Sequence, residues 1–255
     1  MFVLRRIFAP GLLSGAIAGL LVGLFHLVAS EPTVQQAINL EEAKSKALGV
    51  AAEPALVSRD GQELGLVVGA VLFGLAVGLV FSVVYALLGS RLGPASAWRR
   101  SLRLGAIGFA TIVLVPFLKY PANPPAVGDP DTIYYRTKLY LAAIGLSIAA
   151  AGLAFLLHRW LRGRFALPWA QVASGAAYVI LVAAILAGLP SNPDAIEAPA
   201  KLIWHFRLLA LGGLALFWAA LAVSFGTYLE WRERVAGLPP RSIRSRLAVA
   251  RRAQA

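Results

Sequence analysis

The stretch KYPANPPAVGDPDTIYYR, residues Lys119–Arg136, decides the fold because it interrupts a chain that is otherwise rich in long apolar blocks. Proline removes a backbone hydrogen-bond donor and keeps the residue before it out of the helical region. The sequence therefore predicts a fixed, extended loop between two helices, with the polar chemistry of the protein close to it. The prolines of the loop are Pro121, Pro124, Pro125 and Pro130, and Pro116 lies just upstream.

The composition outside this loop indicates a membrane protein. The chain has 255 residues, 59% of them hydrophobic, and a mean hydropathy of +0.73, whereas a soluble domain is about 45–50% apolar. The excess lies in six blocks, and a helix needs roughly 20 apolar residues to cross a bilayer. The predicted fold class is an all-α polytopic membrane helix bundle, with a single membrane domain over residues 1–255. The predicted spans are about 7–29, 63–88, 102–118, 134–157, 168–189 and 202–229, with an outer loop at 30–62 and a basic cytoplasmic tail at 230–255.

The distribution of charge predicts the orientation of the spans. Sixteen of the 24 lysines and arginines lie in the N-terminus, the loops 89–103 and 158–167, and the tail, whereas ten of the 12 acidic residues lie on the other side. Because positive residues are retained in the cytoplasm, both termini are predicted to be cytoplasmic, and the loops 30–62, 119–133 and 190–201 to face outward. Topology then explains the net charge of +12, and nucleic acid is not expected as a partner.

Polar residues and prolines predict where several helices begin. Asp60–Glu63 has the spacing of a capping box for the second span, and Asp129, followed by a proline, has the pattern of a capped first turn for the fourth. Pro168 and Pro199 stand where the fifth and sixth spans are predicted to start. Within the outer loop, the apolar positions of Pro32–Val50 predict a short amphipathic helix on the membrane surface.

Glycines recur along the first two predicted spans. Small residues every four positions let helix backbones approach closely in lipid. The pattern predicts tight packing of the first span against the second, and a pore-lining role is the alternative. The glycines are Gly11, Gly15, Gly19 and Gly23 in the first span, and Gly65, Gly69, Gly74 and Gly78 in the second.

Five residues near the predicted outer side have side chains suited to a divalent metal. Imidazole and carboxylate ligands suit cobalt, nickel or zinc, and an ionisable residue within a span is a functional candidate because its burial is costly. The structural alternative is a histidine hydrogen-bonded to a neighbouring helix and carboxylates paired with arginines. The candidate metal ligands are His26, Glu31, Asp129, Asp131 and His205.

Four further polar residues lie in or near the proline loop. They predict either a polar outer vestibule or a clamp that fixes the loop. In the clamp, Arg207 pairs with a carboxylate of Asp129, Asp131 or Glu197. The four residues are Tyr120, Asn123, Arg136 and Arg207.

The sequence also excludes several kinds of site. The absence of cysteine excludes disulfides and thiolate metal sites, and a single methionine excludes a thioether-lined copper path. No phosphate-binding loop, HExxH, serine-hydrolase elbow or CxxC motif occurs. The protein is therefore not predicted to be an enzyme, and no bound cofactor is predicted.

Three segments of the chain carry a family resemblance. They are MFVLRRIFAPGLLSGAIAGLLVGLFH (Met1–His26), LVPFLKYPANPPAVGDPDTIYYRTKLYL (Leu114–Leu141) and KLIWHFRLLALG (Lys201–Gly212). Over most of its length the chain resembles the CbtA family of bacterial cobalt transporter subunits. The resemblance implies an integral inner-membrane protein that works with CbtB, a short single-span partner with a histidine-rich end. The residues in matching segments are Tyr120, Asn123, Asp129, Arg136, Trp204 and Arg207.

The sequence is compatible with two functions. The first is a membrane component of an uptake system for cobalt or a similar divalent cation, with Co²⁺ as the transported ion and a CbtB-like partner. The ten acidic residues of the predicted outer side would raise the local cation concentration. The alternative is a structural or assembly subunit of a larger membrane complex, without transport activity. In both cases the lipid bilayer surrounds the chain.

Overall fold

The computed structural model describes residues 2–49, 57–93, 95–125 and 127–236, with side chains from residue 7 onward. In this part of the chain all regular structure is helical. The α-helices are α1 (Phe2–Phe25), α2 (Glu31–Ala47), α3 (Arg59–Leu88), α4 (Ala97–Gly108), α5 (Val115–Lys119), α6 (Ile133–Arg162), α7 (Leu167–Gly188) and α8 (Ala200–Val235). Shorter helical turns are the π-helical segments His26–Ser30 and Phe109–Leu114 and the 3₁₀ turns Gly89–Leu92 and Pro130–Thr132.

Six helical runs are long and apolar enough to cross a membrane. This confirms the predicted all-α polytopic fold with six spans. The predicted orientation stays a prediction, and most of the predicted basic tail lies outside the described residues. The six runs are Ile7–Ala47, Arg59–Leu92, Ala97–Lys119, Pro130–Arg162, Leu167–Gly188 and Ala200–Val235.

Two prolines, Pro32 and Pro116, lie just after π-helical turns. Proline at position i removes one hydrogen bond and clashes with the carbonyl of residue i−4. For Pro32 and Pro116 that carbonyl belongs to the π-helical segments His26–Ser30 and Phe109–Leu114, where the wider turn shifts the carbonyls out of register. The chain therefore stays helical from α1 to Ala47. The helix predicted over Pro32–Val50 is present as α2 (Glu31–Ala47), but it continues the first helix through the π-helical segment His26–Ser30. Its predicted location on the outer membrane surface stays a prediction.

Of the two helix starts predicted from a polar capping residue, one is wrong and one is confirmed. Ser58, not Asp60, caps α3: its backbone is extended (φ −60°, ψ 158°), and its hydroxyl accepts a hydrogen bond from the N–H of Gly61 at 3.3 Å. The capping box at Asp60–Glu63 is therefore wrong, because the helix has already begun at Arg59. Asp129 caps as predicted, and its carboxylate accepts the N–H of Asp131 at 2.9 Å.

The described residues form two compact units. The first takes its members from Met1–Pro32, Lys44–Gly108 and Gly212–Ala255, and the second from Thr33–Ala43 and Phe109–Leu211. The core of the first unit is aromatic: the ring of Phe225 lies 5.2 Å from Phe81 and 5.0 Å from Tyr85, centroid to centroid. Edge-to-face packing of this kind adds about 0.5–1.5 kcal/mol per pair to the burial of the rings.

The first unit also contains a close contact between α1 and α3, made at glycines. A Cβ atom added to Gly15 would lie 2.0 Å from the carbonyl oxygen of Gly74, and one added to Gly78 would lie 2.1 Å from that of Gly11. Only glycine fits at such distances. Gly19 meets α3 in the same way, since its added Cβ would lie 2.3 Å from the carbonyl oxygen of Ala70. The contact of Gly23 is looser, with Val67 Cα at 3.1 Å.

Gly65 and Gly69 do not take part in this contact, although close packing was predicted for them. No described heavy atom lies within 4 Å of a Cβ placed on either residue. Gly69 and Gly74 are five residues apart. Gly74 and Gly78 therefore lie about 140° around the helix from Gly65 and Gly69. Gly65 and Gly69 instead line a cavity of about 380 Å³ together with His26.

Candidate functional site at the proline loop

The proline loop connects α5 to α6 in the second unit and is tied to the end of α7. Lys119 donates a hydrogen bond from Nζ to the carbonyl oxygen of Leu186 at 2.8 Å, and the Tyr120 hydroxyl donates to that of Pro190 at 2.6 Å. Desolvation, and to a lesser extent the neighbouring Tyr135, raises the pKa of Tyr120.

Asp194, in the loop between α7 and α8, is the centre of a polar cluster. Its side chain is only 2% exposed, and Oδ2 lies 3.1 Å from Nε of Arg136. The same oxygen accepts the N–H of Asp129 at 3.2 Å, and Oδ1 accepts the Thr132 hydroxyl at 2.8 Å. Arg136 also donates from Nη2 to the carbonyl oxygen of Asp129 at 3.0 Å. One carboxylate thus joins the two loops.

Gly128 makes room for this cluster. Its φ of +113° is a conformation that side chains with a Cβ rarely adopt. An added Cβ would also lie 2.6 Å from Nη1 of Arg136 and 2.7 Å from Oδ2 of Asp194. The glycine in the loop is therefore required by the cluster as well as by the turn.

Arg207 holds the other side of the proline loop. Its Nη2 donates to Oδ1 of Asn123 at 2.9 Å, and its Nε donates to the carbonyl oxygen of Ala122 at 3.3 Å. The predicted pairing of Arg207 with Asp129 or Asp131 is therefore wrong. The partners of Arg207 are the side-chain amide of Asn123 and the backbone carbonyl of Ala122. Tyr120, Asn123, Arg136 and Arg207 all take part in fixing the loop, which is the arrangement of the clamp.

The predicted metal ligands of the first unit are engaged with other protein groups. His26 opens the first π-helical segment, and its Nδ1 lies 2.7 Å from Oγ of Ser30. Its Nε2 packs against Gly213 of α8, where an added Cβ would lie 2.3 Å away. Glu31 forms a salt bridge with Arg59. One ring nitrogen of the histidine is thus hydrogen-bonded, the other packs against α8, and the nearby carboxylate is ion-paired.

Gly213→Ala is expected to lower the melting temperature of the protein, because the new methyl group overlaps the His26 ring. Overpacking of this kind costs about 1–3 kcal/mol. His26→Ala in the same background removes the clashing ring and should recover most of the loss. The measurement is thermal unfolding of the purified variants in detergent.

Gly212→Ala is the matched control, since the nearest atom to its added Cβ is Phe25 Cζ at 3.9 Å. Unchanged unfolding of Gly213→Ala, or a double variant no more stable than the single one, would contradict the packing of His26 against α8.

The predicted ligands of the second unit also remain separate. The Asp129 carboxylate caps the turn that leads to α6, the Asp131 side chain is exposed, and His205 is exposed on α8. Among the described residues no group of three or more histidine, aspartate or glutamate side chains could hold a metal ion. The five predicted ligands therefore do not form one preassembled site in this part of the chain.

Asp194 was missed by the reasoning from sequence. A signal was present: the loop 190–199 is acidic, contains prolines, and was predicted to face the same side as the proline loop. The sequence offered no reason to choose Asp194 over Glu197 as the partner of Arg136. Asp194 and Arg136 are far apart along the chain, so no local pattern connects them.

The fold and this loop cluster define a class of protein: a multi-pass helical membrane protein whose polar loops are fixed at the helix ends. The family model described as "Probable cobalt transporter subunit (CbtA)" matches residues 4–230, and the chain belongs to this family. This confirms the resemblance seen in the sequence. The curated proteins contain no match to the chain, and neither do the solved structures.

Proposed function

We propose that the chain is the membrane component of an uptake system for cobalt or a similar divalent cation, and that it works with a small partner subunit. The observation that carries the proposal is the family match over residues 4–230, which includes all or nearly all of each of the six apolar runs. The word "subunit" in the family description supports a partner. A transporter subunit is typically not an enzyme. We place the protein in the bacterial inner membrane with both termini in the cytoplasm.

The arrangement of the loops supports a cation path that is completed by another component. The carboxylates of Asp194 and Glu31 are held by arginines, and that of Asp129 caps a helix. Asp131 lies beside this cluster with an exposed side chain. In the proposal, the acidic loops concentrate the cation electrostatically, Asp131 meets it first, and the partner supplies the further ligands that a bound ion requires.

Whole-cell uptake of radioactive cobalt in a cobalt-starved host tests this role of the carboxylates. The double variant Asp129→Asn/Asp131→Asn should lower uptake about tenfold, the smallest effect expected when a focusing charge is lost. Asparagine keeps an oxygen that can still accept the N–H of Asp131, so the helix cap survives. Unchanged uptake in the double variant, with the protein verified in the membrane, would contradict the carboxylate role.

A structural or assembly subunit is the second candidate. It is favoured by the lack of a preassembled ligand set among the described residues and by the close packing of α1 on α3. Purification in mild detergent separates the two functions. A stable association with a large membrane complex, together with no uptake in any setting, would favour the assembly role.

A further inference from the structure

A groove in the second unit lies between α2 and the first turns of α8. Its volume is about 490 Å³, within the range of small-ligand pockets. None of the lining residues that the structure describes is acidic. The lining residues are Gln36, Leu40, Pro199, Lys201, Leu202 and His205.

The polar side chains of the groove are those of an anion site. Lys201 and His205 are four residues apart and therefore share one face of α8. Both lie near the N-terminus of the helix, where the backbone dipole disfavours a cation and favours an anion. Gln36 offers amide donors from α2. In the described part of the chain, these three side chains have no hydrogen-bond or ion-pair partner.

Two exposed aromatic residues of the second unit are of the kind found at the level of the lipid headgroups. Trp204, between Lys201 and His205 in the sequence, is 64% exposed, and Tyr134 at the start of α6 is 82% exposed. Tryptophan and tyrosine are enriched at membrane–water interfaces because one part of the ring system is apolar and another part is polar. Leu40 and Leu202 give the groove an apolar wall, which suits the glycerol and upper acyl carbons of a lipid.

We propose that the groove binds the phosphate group of a membrane phospholipid. Lys201 and His205 contact the phosphate oxygens, and the Gln36 amide donates from the other side. Because none of the described residues that line the groove carries a carboxylate, this assignment replaces the metal role predicted for His205. It depends on the protein spanning a membrane, and it is independent of cobalt transport.

Native mass spectrometry of the full-length protein, delipidated in detergent, tests the proposal. Phosphatidylglycerol should be retained, whereas diacylglycerol, which lacks the phosphate, should not. Lys201→Ala should weaken retention about fivefold, the effect of one basic residue at an anionic membrane. Lys201→Ala/His205→Ala should weaken it further, and Lys201→Arg should preserve it. Lys138→Ala is the matched control, since Lys138 is an exposed lysine of α6 that does not line the groove.

Three outcomes would overturn the proposal. The first is equal retention of diacylglycerol and phosphatidylglycerol. The second is undiminished phosphatidylglycerol binding by the double variant. The third is binding of inorganic phosphate in the absence of any phosphatidylglycerol binding, which would make free phosphate the ligand. Cobalt is absent from the assay, so its result leaves the proposed transport function untouched.

Discussion

Gly74→Ala is expected to destabilise the protein strongly, whereas Gly69→Ala, five residues away on α3, should leave its stability unchanged or raise it. A methyl group on Gly74 would lie 2.2 Å from the carbonyl oxygen of Gly15, a backbone atom that can move only if α1 moves. Overpacking a tight contact costs about 1–3 kcal/mol, and separating two helices along the whole contact costs more.

Gly69 provides the control because no described heavy atom lies within 4 Å of its added Cβ. Alanine there also gains about 0.5–1 kcal/mol in helix propensity. Thermal unfolding in detergent compares the two variants directly. Equal melting temperatures, or a larger loss for Gly69→Ala, would show that α1 and α3 do not meet at Gly15 and Gly74.

Asp194→Asn is expected to produce the second large effect. The substitution preserves the shape of the side chain but removes the charge that faces Arg136. The Asp194 side chain is only 2% exposed, and the new NH₂ group would face hydrogen-bond donors there. Breaking a buried ion pair costs about 3–5 kcal/mol. Since the Arg136 side chain is 26% exposed, we expect a smaller loss, about 2–3 kcal/mol.

The same substitution at Asp131 is the matched control for Asp194. Asp131 also lies at the predicted outer side, but its side chain is exposed. Asp194→Asn should lower the melting temperature and make the proline loop sensitive to protease, whereas Asp131→Asn should do neither. If Asp194→Asn unfolds like the unmodified protein and its loop resists protease, the cluster does not hold the two loops together.

The elements that were predicted correctly are those encoded locally. Six apolar blocks are enough to predict six spans, because in lipid every backbone polar group needs an internal partner and a helix provides one. Asp129 followed by Pro130 predicts the start of a helical turn for an equally local reason. The five-residue step between Gly69 and Gly74 was overlooked, although a helix turns by about 100° per residue and the step alone separates the two glycine pairs.

The errors have physical causes that a local pattern does not reveal. Pro32 and Pro116 each follow a π-helical turn, which the sequence did not indicate. Ser58 and Asp60 are both suitable N-cap residues for α3. Ser58 is the cap because its own backbone is extended and the helix begins at Arg59. Such alternatives differ by about 1 kcal/mol, which context easily reverses.

The candidate site was predictable in its location but not in its connections. The proline loop was identified as the polar centre, and Arg136 and Arg207 were named as possible clamp residues. Their actual partners are Asp194 and Asn123, each separated from its arginine by more than 50 residues of the chain. Such pairings follow from the packing of the helices, for which the sequence of one chain carries no direct signal.

Uptake of radioactive cobalt by cobalt-starved cells tests the proposed function most directly. The cells express the chain alone, a single-span partner alone, or both, and nickel and zinc serve as competitors. Our account predicts saturable cobalt uptake that requires this chain and that excess unlabelled cobalt abolishes. Uptake no higher than in cells that lack the chain, with both proteins verified in the membrane, would contradict it and leave assembly of a larger complex as the function.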